Sequence, residues 1–366
     1  MLYKNLVRPV LFLKDPEKTH EQTVALLSSL SFLEGALERL FVVRDRRLQV
    51  RIGPLTFSNP VGLAAGFDKN GTAIRIWPGF GFGFMEIGAI TALPQPGNPQ
   101  PRLFRLPKDQ ALINRLGFNN EGSVAIAAYL EGQRKNGKVV SIPLGINVGR
   151  SKIVETKDAA RDYLFTFEKL YLYGDYFTLN VSSPNTPHLR ELQEKSHLKE
   201  LLKAIQARNQ ELAAQHKINE KAILVKIAPD MDFSQLDEII EVLQSHRVAG
   251  IIATNATAFL RENLVTRIDE PGGLSGRPLS VKATSMIRHI YAVTQGQMPI
   301  IGSGGIFTAE DAYEKIKAGA TAVQIYTGFV YEGPAAVKRI NCGLLGLMEK
   351  EGFKSLAEVV GSQSSL

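Results

Sequence analysis

Eight short apolar runs, most of them separated by helix-like stretches, constrain the fold of this chain more than any other feature. The runs begin at residues 61, 84, 143, 176, 223, 250, 299 and 322, and helical periodicity covers 157–172, 197–215, 234–246 and 308–318. Eight buried strands alternating with helices over about 290 residues predict a closed (β/α)8 TIM barrel. A doubly wound open sheet is the rival fold. The count of eight, and the lack of a G-x-G-x-x-G after the first run, weigh against it.

The pattern divides the chain into three parts. We expect a small amphipathic helical extension over residues 1–47, a barrel over 48–350 and a C-terminal tail over 351–366. A long excursion rich in proline and arginine, 91–119, follows the second strand, and such insertions commonly build a site or a lid.

Two helix starts are predicted in the N-terminal extension. Asp15 followed by Pro16 has the form of an N-cap with proline at the first helical position. Ser31 with Glu34 has the form of a capping box that opens a second helix. A helical hairpin packed on the main domain is the ordinary interpretation, and a basic, apolar-rich hairpin resting on a membrane surface is the alternative.

The composition, 44% hydrophobic and 22% charged residues, is that of a soluble globular protein. A formal net charge of +7 suits anionic small ligands, anionic lipid or nucleic acid without choosing among them. The single cysteine, Cys342, excludes an intramolecular disulfide framework and a Cys-rich metal site. No apolar run is long enough for a membrane span or a signal-peptide core. We therefore expect a protein of the cytosolic side, or of a surface facing it.

Polar residues of one type recur where the predicted strands end. In a (β/α)8 barrel these ends form the active site. Asparagine amides both donate and accept hydrogen bonds, which suits a planar ligand such as a pyrimidine, and lysines add charge for a carboxylate or phosphate. A lone asparagine there usually caps a turn, but four asparagines at or beside strand ends weaken that interpretation. The residues are Lys69, Asn114, Asn147, Asn180, Lys226 and Asn255.

The last two strands predict an anion site. A glycine turn after the seventh run is followed by Thr308 as an N-cap with Asp311 three residues on, and the eighth run ends at Tyr326. Glycines let backbone N–H groups approach an anion, and these two loops hold phosphate in many barrels. A plain tight turn is the alternative. Phosphate beside an amide-lined pocket suggests a cofactor such as FMN.

Several sequence blocks follow one another in order over residues 59–334. The blocks are NPVGLAAGFDKNG, EIGAITALPQPGNPQPRLFRLP, INRLGFNN, LGINVG, LNVSSPNTP, LVKIAPD, GGLSGRPL, IIGSGGI and VQIYTGFVYEGP. They resemble the blocks of the dihydroorotate dehydrogenase family, and DPEKTH matches that family's N-terminal helical extension. The likeness is to the quinone-dependent, membrane-associated class (class 2). It implies an FMN enzyme that oxidises dihydroorotate to orotate in pyrimidine (UMP) biosynthesis and passes the electrons to a membrane quinone.

The resemblance also implies roles for individual residues. Ser183 is the implied catalytic base, and a quinone tunnel between the N-terminal helices and the barrel is implied at His20, Arg105 and Tyr326. The implied FMN-binding residues are Ala65, Gly66, Ala89, Asn147, Asn180, Lys226, Thr254, Gly276, Gly305, Tyr326 and Thr327. The implied substrate-binding residues are Lys69, Asn114, Arg115, Leu116, Gly117, Phe118, Asn180, Asn185, Asn255 and Ala256.

Three residues depart from the family pattern. Ala89 stands where the family usually has a threonine or serine that touches FMN, and Ala256 replaces a usual threonine beside the substrate. His188 replaces a usual glycine in the loop after Ser183. If that position needs a positive φ, histidine strains it.

Two other functions fit parts of the sequence. A flavin barrel acting on RNA, like a dihydrouridine synthase, suits a basic chain, but that family uses a loop cysteine and Cys342 lies in a late helix pattern. A non-catalytic barrel that binds a membrane or partner is opposed by the presence of Lys69, Ser183 and the glycine turn. We therefore expect no nucleic acid, metal or protein partner, and peripheral attachment to the cytoplasmic face of the cell membrane through the N-terminal helices.

Overall fold

The computed structural model describes residues 2–137, 139–262 and 264–363. Its strands are β1 (Val50–Ile52), β2 (Leu55–Phe57), β3 (Val61–Asp68), β4 (Phe84–Ile90), β5 (Leu103–Leu106), β6 (Ala111–Asn114), β7 (Leu144–Val148), β8 (Tyr176–Asn180), β9 (Ala222–Ile227), β10 (Gly250–Ala253), β11 (Gly273–Gly276), β12 (Ile300–Ser303) and β13 (Ala322–Ile325). Its α-helices are α1 (Arg8–Phe12), α2 (Pro16–Ser29), α3 (Glu34–Phe41), α4 (Gly122–Lys135), α5 (Ala159–Leu170), α6 (Lys195–His216), α7 (Phe233–Ser245), α8 (Ser280–Val293), α9 (Ala309–Lys317), α10 (Thr327–Glu332), α11 (Ala336–Glu351) and α12 (Leu356–Val359).

Eight parallel strands close into a barrel in the order β10-β12-β13-β3-β4-β7-β8-β9. They are the eight apolar runs of the sequence, so the predicted (β/α)8 fold is confirmed. Because both faces of these strands are covered, their residues are almost all buried. The register aligns Asn147 with Thr178 and Asn180 with Lys226, which brings polar residues of three neighbouring strands to the same end of the barrel.

A hairpin, β1 and β2, lies at the opposite end of the barrel. The ring of Phe57 stacks on that of Phe84, with 4.2 Å between their centroids. The sequence analysis did not predict this hairpin, because three-residue strands are too short to show an alternating pattern.

The proline-rich excursion after β4 forms a small sheet. Strand β6 pairs with β5 on one side and with β11 on the other, in a three-stranded antiparallel sheet. Its buried core contains Leu106, Ile113 and Leu274. The predicted insertion is therefore a structured layer beside the carboxyl ends of the barrel strands.

One of the two predicted helix starts in the N-terminal extension is confirmed. Asp15 caps α2 by accepting a hydrogen bond from the backbone N–H of Lys18 at 2.9 Å, with Pro16 as the first helical residue. The capping box at Ser31 and Glu34 is wrong. Residues Ser31–Leu33 form a 3-10 turn, and α3 begins at Glu34 without a side-chain cap.

The N-terminal extension packs on the barrel through α10. The hydroxyl of Tyr3 donates to the carbonyl of Val330 at 2.6 Å, and Arg8 donates to the carbonyl of Tyr331 at 3.0 Å. Lys4 forms an ion pair of 2.6 Å with Glu332. Within the described residues, no helix is both long enough and apolar enough to cross a membrane.

The end of the chain also packs on the barrel. Leu356 and Val359 are fully buried, and the N–H of Gly361 donates to the carbonyl of Ile316 on α9 at 3.0 Å. The segment that the sequence analysis described as a tail therefore packs on the barrel up to residue 363.

Candidate active site

A cavity of about 1060 Å³, including its open mouth, lies at the carboxyl ends of the barrel strands. Lys69 and Lys226 line it, and its described lining contains no Asp, Glu or His. The site therefore carries positive charge and suits an anionic ligand.

Most of the site residues expected from the sequence lie on this one cavity. Of the expected cofactor residues, the lining includes Ala65, Gly66, Ala89, Asn180, Lys226, Thr254, Gly276, Gly305, Tyr326 and Thr327. Of the expected substrate residues and base, it includes Lys69, Asn114, Leu116, Gly117, Phe118, Ser183, Asn185, Asn255 and Ala256. The remaining expected residues, Asn147, Arg115, His20 and Arg105, lie elsewhere.

Asn147 lies one layer below the cavity. Its side chain is fully buried, its Nδ2 donates to Oε2 of Glu86 at 3.1 Å, and its Oδ1 accepts from Nδ2 of Asn180 at 3.0 Å. It therefore reaches the cavity through Asn180.

Arg115 faces away from the cavity. Its guanidinium pairs with Glu270 at 2.6 Å and donates to the carbonyl of Pro101 at 2.7 Å. The group also lies over the ring of Phe104, 4.8 Å from its centroid. These contacts fasten the β5–β6 layer to the segment before β11.

Ser183 lies just after β8, buried beside the cavity. Its Oγ accepts from the backbone N–H of Asn185 at 3.3 Å, and no described carboxylate or imidazole bonds to it. The loop is held from two sides. Nδ2 of Asn185 donates to Oδ1 of Asn114 at 3.2 Å, and Arg150 donates to the carbonyl of Pro187.

His188, in the same loop, has a left-handed backbone with φ 56° and ψ 9°. This is a conformation that glycine adopts without strain, so the strain expected at this position is present. Its Nδ1 lies 2.6 Å from Oε1 of Glu191. This contact ties the exposed imidazole to the turn that follows.

Lys69 is positioned by a network around the neighbouring Asp68. The Asp68 carboxylate accepts from the indole N–H of Trp77 and from the N–H groups of Thr72 and Ala73, each at 2.9 Å. Burial lowers the pKa of Lys69 to about 8, with the positive charge of Arg102 acting in the same direction and Glu17 opposing it. The ammonium is therefore charged at neutral pH.

Lys226 is buried within β9 and reaches the cavity from below. Burial lowers its pKa, and the negative charge of Glu86 opposes that shift. Since no described side chain hydrogen-bonds to its amino group, its N–H donors are available to a ligand in the cavity.

The glycine turn after β12 lines the cavity, but the helix that follows does not present a free N-terminus. The predicted N-cap at Thr308 is confirmed, and Thr308 forms a capping box with Asp311, in which each side chain accepts from the other's backbone N–H. The Asp311 carboxylate already occupies the N-terminus of α9. The backbone N–H groups of Gly304 and Gly305 are therefore the better candidates to bind an anion.

Gln324 is the clearest residue that the sequence analysis missed. It lies on β13, is buried and lines the cavity, and neither its Nε2 nor its Oε1 has a hydrogen-bond partner among the described residues. The sequence did contain a signal for this residue, because Gln324 is the one strongly polar residue in the apolar run AVQIY. Lys226 stands out in the run ILVKI in the same way.

His20 and Arg105 lie where the N-terminal helices meet the barrel. Nε2 of His20 is 2.8 Å from the carbonyl oxygen of Phe67, and the Phe67 ring in turn contacts Tyr326, with 5.2 Å between centroids. Arg105 lies over the ring of Phe12 on α1, 4.7 Å from its centroid. Burial, with a contribution from Lys69, lowers the pKa of His20 to about 3, so this imidazole is neutral.

The fold and the cavity define a class, the (β/α)8-barrel enzymes whose site is built from the loops at the strand ends. Residues 47–348 match the family model described as dihydroorotate dehydrogenase. The chain belongs to the dihydroorotate dehydrogenase family and is an oxidoreductase of that family.

Relatives match over nearly the full length. Two proteins named dihydroorotate dehydrogenase (quinone), from Gloeobacter violaceus and Acaryochloris marina, are 48% and 49% identical. The alignments cover 98% of this chain and 98% of the first protein, and 99% of this chain and 100% of the second. The crystal structure of the Eimeria tenella enzyme in complex with ferulenol superposes with a TM-score of 0.86 at 36% identity, covering 96% of each chain. Ligand-free enzyme from the same organism gives 0.86 at 38% identity, covering 95% of this chain and 99% of that one.

Proposed function

We propose that this enzyme oxidises dihydroorotate to orotate in pyrimidine biosynthesis, with FMN as the immediate hydride acceptor, Ser183 as the base and a membrane quinone as the final acceptor. Family membership and the full-length likeness to quinone-type relatives support the reaction. The single observation that carries the site is the gathering of Lys69, Ser183 and four asparagines on one cavity without an acidic residue.

The cavity suits FMN on three grounds. The buried amide of Gln324 has no hydrogen-bond partner among the described residues, and a flavin ring edge with donors and acceptors would supply one. Gly305 has φ +74°, and a Cβ there would meet Ser280 at 2.4 Å, so only glycine fits at this point of the turn and leaves its backbone open to a phosphate. Lys226 lines the cavity with N–H donors from below. We assign the phosphate end to Gly276, Gly305 and Thr327, and the ring to Ala65, Asn180, Lys226 and Gln324.

Bound FMN would supply the redox chemistry, as the acceptor of hydride from dihydroorotate and the donor of electrons to the quinone. The protein must orient the substrate and take up a proton. Lys69 binds the substrate carboxylate, while Asn114, Asn185 and Asn255 hydrogen-bond its ring carbonyl and N–H groups. Oγ of Ser183 receives the proton that leaves the carbon next to the one that loses hydride.

Two features support quinone entry between the N-terminal helices and the barrel. His20, Phe67 and Tyr326 form a continuous line of ring contacts from α2 to the cavity wall. Leu6, Val10, Leu26, Phe32 and Leu40 of the N-terminal extension are exposed to solvent. Exposed apolar side chains on short helices suit peripheral contact with a bilayer, and we place that bilayer on the cytoplasmic side.

The redox proposal is tested by anaerobic titration of the purified yellow protein. Dihydroorotate is expected to bleach the flavin absorbance, and a water-soluble quinone is expected to restore it faster than NAD does. Absence of bleaching would refute dihydroorotate as the substrate. Faster recovery of the flavin absorbance with NAD than with the quinone would refute the quinone as the final electron acceptor.

Membrane contact is tested separately by sedimentation with liposomes. Phe32→Ser, which removes a side chain that is 73% exposed on the N-terminal extension, is expected to reduce binding. Val281→Ser, at an apolar residue that is 80% exposed on α8, is the matched control and is expected to bind as the wild type does. If both variants bind liposomes as the wild type does, the proposed membrane contact of the N-terminal extension is refuted.

A further inference from the structure

A buried lysine lies behind the glycine turn that follows β12. Lys315 on α9 is fully buried, and its Nζ donates to the carbonyl of Ser280 at 3.2 Å and to the hydroxyl of Thr284 at 2.9 Å. Both acceptors belong to the first two turns of α8, and both are neutral. Within the part of the chain that the structure describes, no carboxylate forms an ion pair with this lysine. Since buried charges are normally paired, the ammonium calls for a partner of opposite charge.

The ammonium of Lys315 is charged at neutral pH. Burial lowers its pKa to about 8, and the negative charges of Glu314 and Asp311 oppose that shift. Neither carboxylate neutralises the ammonium by direct contact. Glu314 is exposed on α9, whereas Asp311 pairs with Arg277 at 2.6 Å and accepts from the backbone at the start of the helix. The positive charge therefore enters the interior without a neutralising group of its own.

One residue separates this ammonium from the wall of the cavity. Gly305 of the glycine turn packs so closely on Ser280 that a Cβ there would lie 2.6 Å from the Cα of Ser280. The carbonyl of this same Ser280 accepts the hydrogen bond from Lys315. Because Gly305 lines the cavity and Lys315 does not, the ammonium lies behind the turn, close to the cavity but outside it.

The end of the cavity that we assign to phosphate has no cation of its own. The described lining contains two basic residues, Lys69 and Lys226, and these are assigned to the substrate carboxylate and the flavin ring. Gly276, Gly305 and Thr327 are neutral, whereas a phosphate monoester carries about −1.5 to −2 charges at pH 7. In the low-dielectric interior of a protein a charge acts over a longer distance than in water, so an ammonium one residue behind the wall still stabilises that anion.

We propose that Lys315 is a specificity-determining residue, which supplies the counter-charge of the cofactor phosphate from behind the glycine turn and so selects FMN over riboflavin, the same flavin without phosphate. This inference rests on the proposed function, because it takes FMN as the ligand of the cavity. The alternative is a purely structural lysine that ties α9 to α8. Loss of a structural lysine affects both flavins equally, whereas loss of a counter-charge affects the phosphorylated one.

The role is tested with Lys315→Met, which keeps a long apolar stem and removes the charge. The dissociation constants of FMN and riboflavin are measured from flavin fluorescence on the full chain freed of its flavin, alongside thermal unfolding. We expect Lys315→Met to bind FMN at least about tenfold more weakly than wild type does, and riboflavin within about threefold of wild type. Lys317→Met is the matched control, because it removes the same charge from the same helix at a partly exposed lysine that pairs with Glu351. Its affinities for both flavins are expected to equal those of wild type.

Two results overturn the inference. One is a folded Lys315→Met that binds FMN as tightly as wild type does. The other is an equal loss of affinity for FMN and riboflavin, which would make Lys315 a structural contact only. Should Lys315→Met fail to fold, Lys315→Gln keeps a hydrogen-bond donor without the charge, and either of the same two results in that variant overturns the inference. A wild-type protein that binds neither flavin would instead refute FMN as the cofactor, and with it the proposed function and the inference that rests on it.

Discussion

Glu17 on α2 and Arg102 at the start of the β5–β6 layer form a buried, two-pronged ion pair. Nη2 of Arg102 lies 2.7 Å from Oε1 of Glu17, and Nε lies 2.9 and 3.1 Å from the two carboxylate oxygens. Arg102 also donates to the carbonyls of Pro96 and Asn98 at 2.6 and 2.7 Å. The N-terminal extension is thereby joined to the layer that carries Asn114.

Breaking this pair is expected to destabilise the protein. Glu17→Gln leaves the guanidinium buried without its counter-charge, and we expect the free energy of unfolding to fall by about 3 kcal/mol. Glu21→Gln, at an exposed glutamate on the same helix, is expected to change it by less than about 0.5 kcal/mol. Urea unfolding of both variants measures the difference, and similar values for the two would contradict a structural role for the pair.

Orotate binding is expected to depend on pH through Lys69. Because burial lowers its pKa to about 8, the ammonium is charged below that pH and loses its proton above it. Affinity for the anionic ligand is therefore expected to be constant from pH 6.5 to about 8 and to weaken by up to about tenfold per unit above it. Flavin-detected titrations across this range measure the effect. Lys69→Met is expected to bind weakly with no such inflection, and an inflection that persists in the variant would assign it to another group.

Removing the hydroxyl of Ser183 is expected to slow chemistry while sparing ligand binding. For Ser183→Ala we expect flavin reduction by dihydroorotate to slow by about 10²–10⁴-fold, with FMN content and orotate affinity close to wild type. The neighbouring Ser182→Ala is the control, because that hydroxyl holds Asn180 and Asn255 and its loss is expected to weaken orotate binding more than it slows reduction. Stopped-flow measurement of flavin reduction separates the two effects. Equal reduction rates for Ser183→Ala and wild type would exclude Ser183 as the catalytic base.

The left-handed backbone at His188 predicts the order of two substitutions. His188→Gly and His188→Ala both remove the contact with Glu191, but glycine also relieves the strain that alanine retains. We expect the glycine variant to be more stable than the alanine variant by about 1 kcal/mol in denaturant unfolding. An alanine variant as stable as the glycine variant would show that the loop relaxes out of this conformation.

His20 is expected to contribute to acid destabilisation. Its pKa is lowered from 6.5 to about 3, so between these values the unfolded chain binds a proton that the folded protein excludes. The stability linked to this group is therefore fully present above pH 6.5 and is lost as the pH falls towards 3. Between pH 7 and pH 5, wild type is expected to lose roughly 1–2 kcal/mol more than His20→Gln. Parallel unfolding curves at the two pH values test this, and equal losses would contradict it.

The barrel could be predicted because its strands are buried on both faces. Such strands appear as continuous apolar runs, and helices with one apolar face separate most of them. The hairpin of β1 and β2 and the 3-10 turn at Ser31 escaped prediction, since short local hydrogen bonds and tertiary packing leave little trace in a sequence.

The same runs predicted the candidate site residues, but they did not give the depth of Asn147 and they left out two polar residues inside the barrel. Asn147 and Asn180 look alike in sequence, each at the end of an apolar run, yet Asn147 lies one layer below the cavity. Residue type gives the chemistry of an amide but not its depth in the barrel. Glu86 and Gln324 were overlooked because each stands alone inside an apolar run. A sequence does not show whether such a residue bonds to neighbouring strands, as Glu86 does, or lines a cavity without a partner among the described residues, as Gln324 does.

The two ends of helix α10 contact different parts of the protein, the cavity at one end and the N-terminal extension at the other. Thr327 at its start lines the cavity, whereas Glu332 at its end pairs with Lys4. A ligand that displaces Thr327 would therefore also displace the carbonyl groups to which Tyr3 and Arg8 donate, because all three lie on one helix of six residues. If the affinity of the cavity for its ligand depends on the seating of the N-terminal helices, thermodynamic reciprocity requires the seating to depend on the ligand by the same free energy.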